Sequence, residues 1–171
     1  MRSVAVSRVI REYDPERDAR GLRTCIVELQ EFERRIDPSL PPGAAMVEGY
    51  TSYLFDRCQA HAGKIYVVEA DRLVVGFVCV WSNVAPSEPD EPQTSYAYVS
   101  DLIVLPRFRR HGLGRALLLA AENYARAQGA TVIRIGVLAA NTMARVLYSS
   151  AGFVDRRVEL TKSLLGGNGG G

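Results

Sequence analysis

The stretch KIYVVEADRLVVGFVCVWS, residues 64–82, constrains the fold most. Two runs rich in valine and aromatic residues flank the two-residue connection Asp71-Arg72. A link that short joins antiparallel neighbours, because parallel strands need a crossover of a dozen residues or more. The second run is apolar on both faces from Val74 to Val80, which predicts a central strand.

Upstream, weak alternation over Ala5–Tyr13 predicts a first strand. Asp14-Pro15 then opens a helix with Ala19, Leu22, Ile26, Leu29 and Phe32 or Glu33 at helical spacing. A second helix over Ala44–His61 carries Met46 or Val47, Tyr50, Leu54 and Cys58 on one side. Downstream, a proline-rich acidic loop over 83–95 leads to a strand at Tyr96–Leu105 and a helix that runs to Gln128 and stops at Gly129. A strand over 131–137, a short helix from Asn141 to Ser150 and a final strand over 153–160 complete the order. The pattern predicts a mixed α/β fold in a single domain, residues 1–165, followed by a flexible glycine-rich tail, 166–171.

A net charge of +2 on 171 residues does not imply a nucleic-acid partner. No apolar run reaches the roughly 18 residues of a membrane span, and the N-terminus lacks the pattern of a secretory signal. Cys25, Cys58 and Cys79 are odd in number and widely spaced, which reads as reduced core thiols. His61 and His111 lack partners at ligand spacing. The expectation is a soluble cytoplasmic protein with no metal, no membrane and no nucleic-acid partner.

The positive charge concentrates in LPRFRRHGLGRALLLAAENYA, residues 105–125, where Arg107, Arg109, Arg110 and Arg115 surround Gly112 and Gly114 at a strand-to-helix junction. Glycines let backbone approach an anion, the first helical turn offers unpaired N–H groups, and guanidinium groups add forked donors. An anion site and a merely basic, solvated turn are the two readings. A Walker loop is excluded because Arg115 and Ala116 stand where lysine and serine or threonine belong, and a dinucleotide fingerprint is excluded by Leu117.

The run Arg109-Arg110-His111-Gly112-Leu113-Gly114, preceded by DLIVLP and followed by NTMARVLYSSAGF, resembles the acetyl-coenzyme-A-binding motif of the GNAT N-acetyltransferase superfamily over about Tyr96 to Phe153. The resemblance implies a splayed, mostly antiparallel sheet of about 6–7 strands flanked by about four helices. It implies acetyl-CoA as donor, with Arg109, Arg110, His111, Gly112, Leu113, Gly114 and Arg115 around the diphosphate. The edge of the strand at Leu102, Ile103 and Val104 would pair with the pantetheine arm, and an amide near Leu102 or Ile103 would meet the developing oxyanion. Tyr148 matches the family tyrosine that protonates the departing thiolate, with a packing residue as the other reading, and Asn141 reads as a helix cap, with which a cofactor contact is compatible.

The proton acceptor is open. The family's strand glutamate is replaced by Tyr98, so the candidates run Asp101, Glu33, Tyr98, with Asp101 expected to alternate to the face opposite Tyr98. Glu28, Glu31, Glu33 and Asp37, with Glu88, Asp90 and Glu91, could form a negative rim or simply a solvated surface. Trp81, Tyr96 and Tyr98 could form an aromatic wall or core. The expected activity is transfer of an acetyl group from acetyl-CoA to a primary amine, of a small molecule or of a peptide or protein, by direct attack. A non-catalytic acyl-CoA-binding module is the alternative, and a homodimer is compatible with the family.

Overall fold

A computed structural model describes residues 8–164. Its sheet has the order β1 (Arg8–Glu12), β2 (Gly63–Ala70), β3 (Leu73–Val84), β4 (Tyr96–Val104) and β5 (Ile133–Ile135). The first three pairings are antiparallel and β4–β5 is parallel. β3 is the central strand, as its two apolar faces require. The Asp71-Arg72 turn puts both residues at positive φ, 50° and 64°, the backbone of a two-residue turn that matches strand twist.

Helices cover both faces. α1 (Pro15–Ile36) starts on Asp14, whose side chain accepts from the Glu16 amide, and α2 (Gly43–Ala60) packs beside it. Leu22, Cys25, Ile26 and Leu54 of these helices meet Ile65, Val67, Phe77, Cys79, Trp81 and Ile103 of the sheet. On the opposite face α3 (Leu113–Ala127) buries Leu113, Leu117, Leu118, Ala121 and Ala125 against Val68, Val78, Val80, Ala97 and Val99. α4 (Thr142–Ser150) closes the same side with Tyr148 and Leu147.

Two expectations change. Among the described residues the sheet has five strands, not six or seven. The segment 131–137 pairs only over Ile133–Ile135, and residues 153–160 form no strand. The latter are tethered by ions instead: Arg156 and Arg157 reach Glu91, and Arg145 reaches Asp155. Val154 and Leu160 stand 87% and 90% exposed, so no apolar layer fixes a register for that segment. The start of the expected first strand, 5–7, and the glycine tail lie outside the described residues.

The feature that positions the site is an irregularity in β4. Val80 pairs with Val99 but Cys79 pairs with Asp101, which leaves Ser100 as an extra, bulged residue. The bulge inverts the alternation. Before it, Ala97 and Val99 face α3 while Tyr96 and Tyr98 face α1 and α2; after it, Leu102 and Val104 face α3 while Ile103 faces α1 and α2. Asp101 therefore lies on the same side as Tyr98, where it meets Tyr50 of α2. Strict alternation from Tyr98 predicts the opposite face and fails because it assumes an unbroken pleat.

Candidate functional site

β5 pairs with β4 only through Val99, the last residue before the bulge. From Ser100 onward β4 loses that neighbour, and one edge of the strand opens into a cleft of about 470 Å³. The lining gathers residues from five places: Phe32 and Glu33 of α1, Ser100 to Val104 of β4, the turn into α3, Ile135 to Val137 at the end of β5, and Asn141 to Ser150 around α4. Of the residues singled out in the sequence, Glu33, Asp101, Leu102, Ile103, Val104, Arg109, Arg110, Gly112, Leu113, Gly114, Arg115, Asn141 and Tyr148 line it. Tyr98 and His111 do not. The Tyr98 ring stacks on Trp81 with centroids 5.6 Å apart, and its phenol lies against Gly136. The exposed His111 imidazole turns back onto the Arg109 carbonyl, Nδ1 to O 2.7 Å.

At one end of the cleft the chain leaves β4 through a single 3-10 turn, Pro106–Phe108, and enters α3 through two left-handed residues, Arg110 (φ 65°) and Gly112 (φ 74°). A non-glycine residue in that region is strained by about 1–2 kcal/mol. Among the described residues, none of the consecutive amides from Arg110 to Arg115 donates to a protein acceptor; the next amide, Ala116, donates to Gly112. Unpaired N–H groups at a helix N-terminus are the array that an anion such as a diphosphate fits. A Cβ on Gly112 would meet nothing within 4 Å, so open space lies beside the turn; one on Gly114 would come 3.2 Å from Leu147, so that glycine lets α4 approach.

The arginines divide their work. Arg109 is partly committed: its Nε donates to the Val104 carbonyl at 2.8 Å and its guanidinium lies 5.3 Å over the Phe32 ring, while the side chain also lines the cleft. It pins the turn to the end of β4 and to α1. Arg115 donates to the Ser150 carbonyl at 3.1 Å, tying α3 to α4. Arg110 is exposed and makes no ion pair among the described residues.

The other end is acidic and protonatable. Asp101 is buried, and both its oxygens are engaged: Oδ1 accepts from the Tyr50 hydroxyl at 2.7 Å and Oδ2 from the Ser100 hydroxyl at 2.7 Å. Burial raises its pKa above the usual carboxylate value, against the pull of those two donors. Glu33 is half-buried and has no hydrogen-bond or ion-pair partner among the described residues. Burial, and then the charge of Asp101, raise its pKa too. The Tyr148 ring leans on Phe153 at 6.0 Å, and its hydroxyl has no hydrogen-bond partner among the described residues. Burial, followed by Glu33 and Asp101, pushes that phenol up to about 12, so it stays protonated at neutral pH. Asn141 caps α4, its Oδ1 accepting from the Ala144 amide at 3.1 Å.

The remaining acids leave the mouth. Glu31 accepts from the Gly43 amide at 2.7 Å and from Arg34, which fixes the α1–α2 connection. Glu91 is enclosed by Arg134, Arg156 and Arg157. Of the acids considered for a rim, only Glu33 lines the cleft. Trp81 is a core residue, 6% exposed. Sequence reasoning did not single out Phe32, Ser100 or Tyr50 for the site; Tyr50 reads correctly as the inward face of α2, and only the bulge brings Asp101 to it. Among the described residues there is no cluster of three or more groups able to hold a metal, and no helix is long and apolar enough to cross a membrane.

The comparisons with known proteins agree with this geometry. The chain is 26% identical over 136 residues to an uncharacterised N-acetyltransferase of Bacillus subtilis, YhfO, covering 80% of this chain and 83% of that one. It is 39% identical over 84 residues to a mycothiol acetyltransferase of Thermobifida fusca, a match that spans 49% of this chain and only 22% of that one. A structure of a predicted acetyltransferase with acetyl-CoA from Clostridium acetobutylicum superposes with a TM-score of 0.68 at 16% identity, covering 93% of this chain and 97% of the other, a likeness of fold. The sequence profile of the acetyltransferase (GNAT) family matches residues 27–153, the span from α1 through α4 that builds the cleft, and the chain belongs to that family.

Proposed function

We propose that this acetyltransferase moves the acetyl group of acetyl-CoA to a primary amine in the cleft between β4 and α4. The observation that carries the reading is the joining, in one cleft, of an unpaired amide array over Arg110–Arg115 with an unpartnered carboxylate, Glu33, and an unpartnered phenol, Tyr148. The amide array and Arg110 would hold the diphosphate. The open edge of β4 at Leu102, Ile103 and Val104 would hold the pantetheine arm, and an amide there would face the thioester oxygen. Bound acetyl-CoA supplies the thioester whose acetyl group is transferred.

The residues then divide two proton tasks. An attacking amine must be neutral, and Glu33 has free lone pairs and a raised pKa, the properties of a base that works near neutral pH. Asp101 ranks first from sequence, but with both oxygens occupied by O–H donors it serves better as a fixed negative charge that draws a cationic amine inward. Tyr148, held protonated, can donate to the departing sulfur. The amine nitrogen forms the new bond to the acetyl carbon, the carbon–sulfur bond breaks, Glu33 takes the amine proton and Tyr148 gives its proton to the thiolate.

The test is thermal denaturation with acetyl-CoA, CoA, ATP and NAD, followed by thiol release across a panel of amines. A stability shift confined to the CoA ligands, with thiol release that depends on an amine, is expected. No shift at saturating acetyl-CoA overturns the reading. A shift without thiol release from any amine supports the binding module instead.

A further inference from the structure

Two of the three cysteines, far apart in sequence, do not stay apart. Cys58, in the last turn of α2, and Cys79, on the central strand β3, have their sulfur atoms 3.4 Å from each other. The approach is built into the backbone. After α2 the chain reverses through Ala62 at φ 47° and enters β2 at Gly63, where a Cβ would fall 2.7 Å from Cys58 Cα and 2.9 Å from its Sγ. Only glycine there lets the end of α2 press onto the sheet. A disulfide requires a sulfur separation of about 2.05 Å, so side-chain rotation and a small settling of the last helical turn would close the gap.

We propose that Cys58 and Cys79 are a redox modification site, oxidised by a hydroperoxide to a disulfide that clamps α2 to β3 beside Asp101. The inference is independent of the transfer reaction. The two sulfurs have different surroundings: Cys79 is fully buried, while Cys58 is half-buried. Among the described residues the buried indole N–H of Trp81 meets no acceptor at full hydrogen-bond geometry, and it lies beside Cys58, where a thiolate would supply an acceptor. Hydrogen bonding from Cys79 holds the Cys58 thiol below its ordinary value against the opposing effect of burial, whereas burial drives Cys79 well above it. Cys58 is thus the attacking sulfur and Cys79 the resolving one.

The reaction balances. The Cys58 thiolate attacks one peroxide oxygen, the O–O bond breaks, and one water (or alcohol) leaves with a sulfenic acid on Cys58. Cys79 sulfur then attacks Cys58 sulfur, the S–O bond breaks, and a second water leaves with the proton from Cys79. Two thiols are oxidised and one peroxide is reduced. The resulting link lies next to the site, since Cys79 is the cross-strand partner of Asp101 and Tyr50 is on the same helix as Cys58.

The experiment is peroxide titration of the reduced full chain, then alkylation of remaining thiols and peptide mapping without reductant. Cys25 is an internal control, being buried without a sulfur partner and pushed up to about 12. The expected product has lost two hydrogens, leaves one alkylatable thiol of three, carries a Cys58–Cys79 linked peptide and reverts with dithiothreitol. C58S should keep both of its thiols at the same dose. A wild-type chain that keeps three thiols, or carries sulfinic acid on Cys58 with Cys79 still alkylated, overturns the proposal. Should C58S fail to fold, the wild-type map in urea replaces it: a specific Cys58–Cys79 link must disappear when the fold does, and its persistence there refutes a site made by the fold.

Discussion

The two ends of the cleft are built from different materials. At the α3 end the working groups are backbone amides, held by a turn with two left-handed residues that leaves the amides from Arg110 to Arg115 without acceptors among the described residues. At the other end they are side chains, Glu33 from α1, Asp101 from the β4 bulge and Tyr148 from α4, brought together over more than a hundred residues of chain. The contrast with the Asp71-Arg72 turn is instructive. That turn also holds two residues at positive φ, yet its conformation serves the pairing of Ala70 with Leu73. Left-handed backbone thus completes the sheet in one place, at two non-glycine residues, and keeps donors free in the other, at one arginine and one glycine.

If the side-chain end carries the proton transfers, its substitutions should lower kcat while leaving cofactor affinity intact. Tyr148→Phe keeps the ring against Phe153 and removes only the hydroxyl, so kcat should fall by about 100- to 1000-fold with acetyl-CoA affinity unchanged in calorimetry. An equal loss of both would make Tyr148 a packing residue and erase the division. Glu33→Gln should lower kcat/KM by about 100-fold. It should also flatten the acid limb of the pH profile: a carboxylate whose pKa is raised is protonated, and useless as a base, until the pH climbs past the ordinary carboxylate range. A limb that survives in Glu33→Gln belongs to another group.

The same division explains what the sequence disclosed. The amide end was legible because its needs are local: glycine at a positive-φ position, arginines next to it and a helix immediately after, all within Arg109–Arg115. The hairpin, both long helices and the central place of β3 were legible for the same reason, since turn length and apolar period are properties of short windows. The acid end was not. Ser100 gives no sign in sequence that it will bulge, and without the bulge Asp101 falls on the wrong face and Tyr50 has no reason to matter. The last strand was misread because alternation in FVDRRVEL names a face without naming a partner, and the structure supplies ion pairs instead.

A smaller effect tests the amide end. Gly112→Val places a β-branched residue at φ 74°, where no protein atom lies within 4 Å of the added Cβ, so the cost comes from the left-handed backbone and from a side chain set in the open space that the diphosphate would fill. A penalty of about 1–2 kcal/mol weakens acetyl-CoA binding by roughly 10-fold, with kcat nearly unchanged at saturation. Full affinity in this variant would mean that the turn does not need its left-handed shape to bind, and the amides would lose their place in the mechanism.

The smallest effect decides between the two acids. Tyr50→Phe removes one of the two donors that hold Asp101 down, so burial carries the Asp101 pKa still higher. More Asp101 is then neutral at any given pH near its titration. Because the Asp101 charge is what adds to the raising of Glu33 after burial, its partial neutralisation lets the Glu33 pKa drop. With Glu33 as base, the acid limb of kcat/KM therefore moves to lower pH, with a change of only about threefold in the plateau, the scale of one hydrogen bond. With Asp101 as base, the same substitution moves the limb to higher pH, because the base itself has become harder to ionise. One substitution outside the lining of the cleft thus gives opposite signs for the two assignments, and the sign survives even where the loss of a buried hydrogen bond costs the fold some stability.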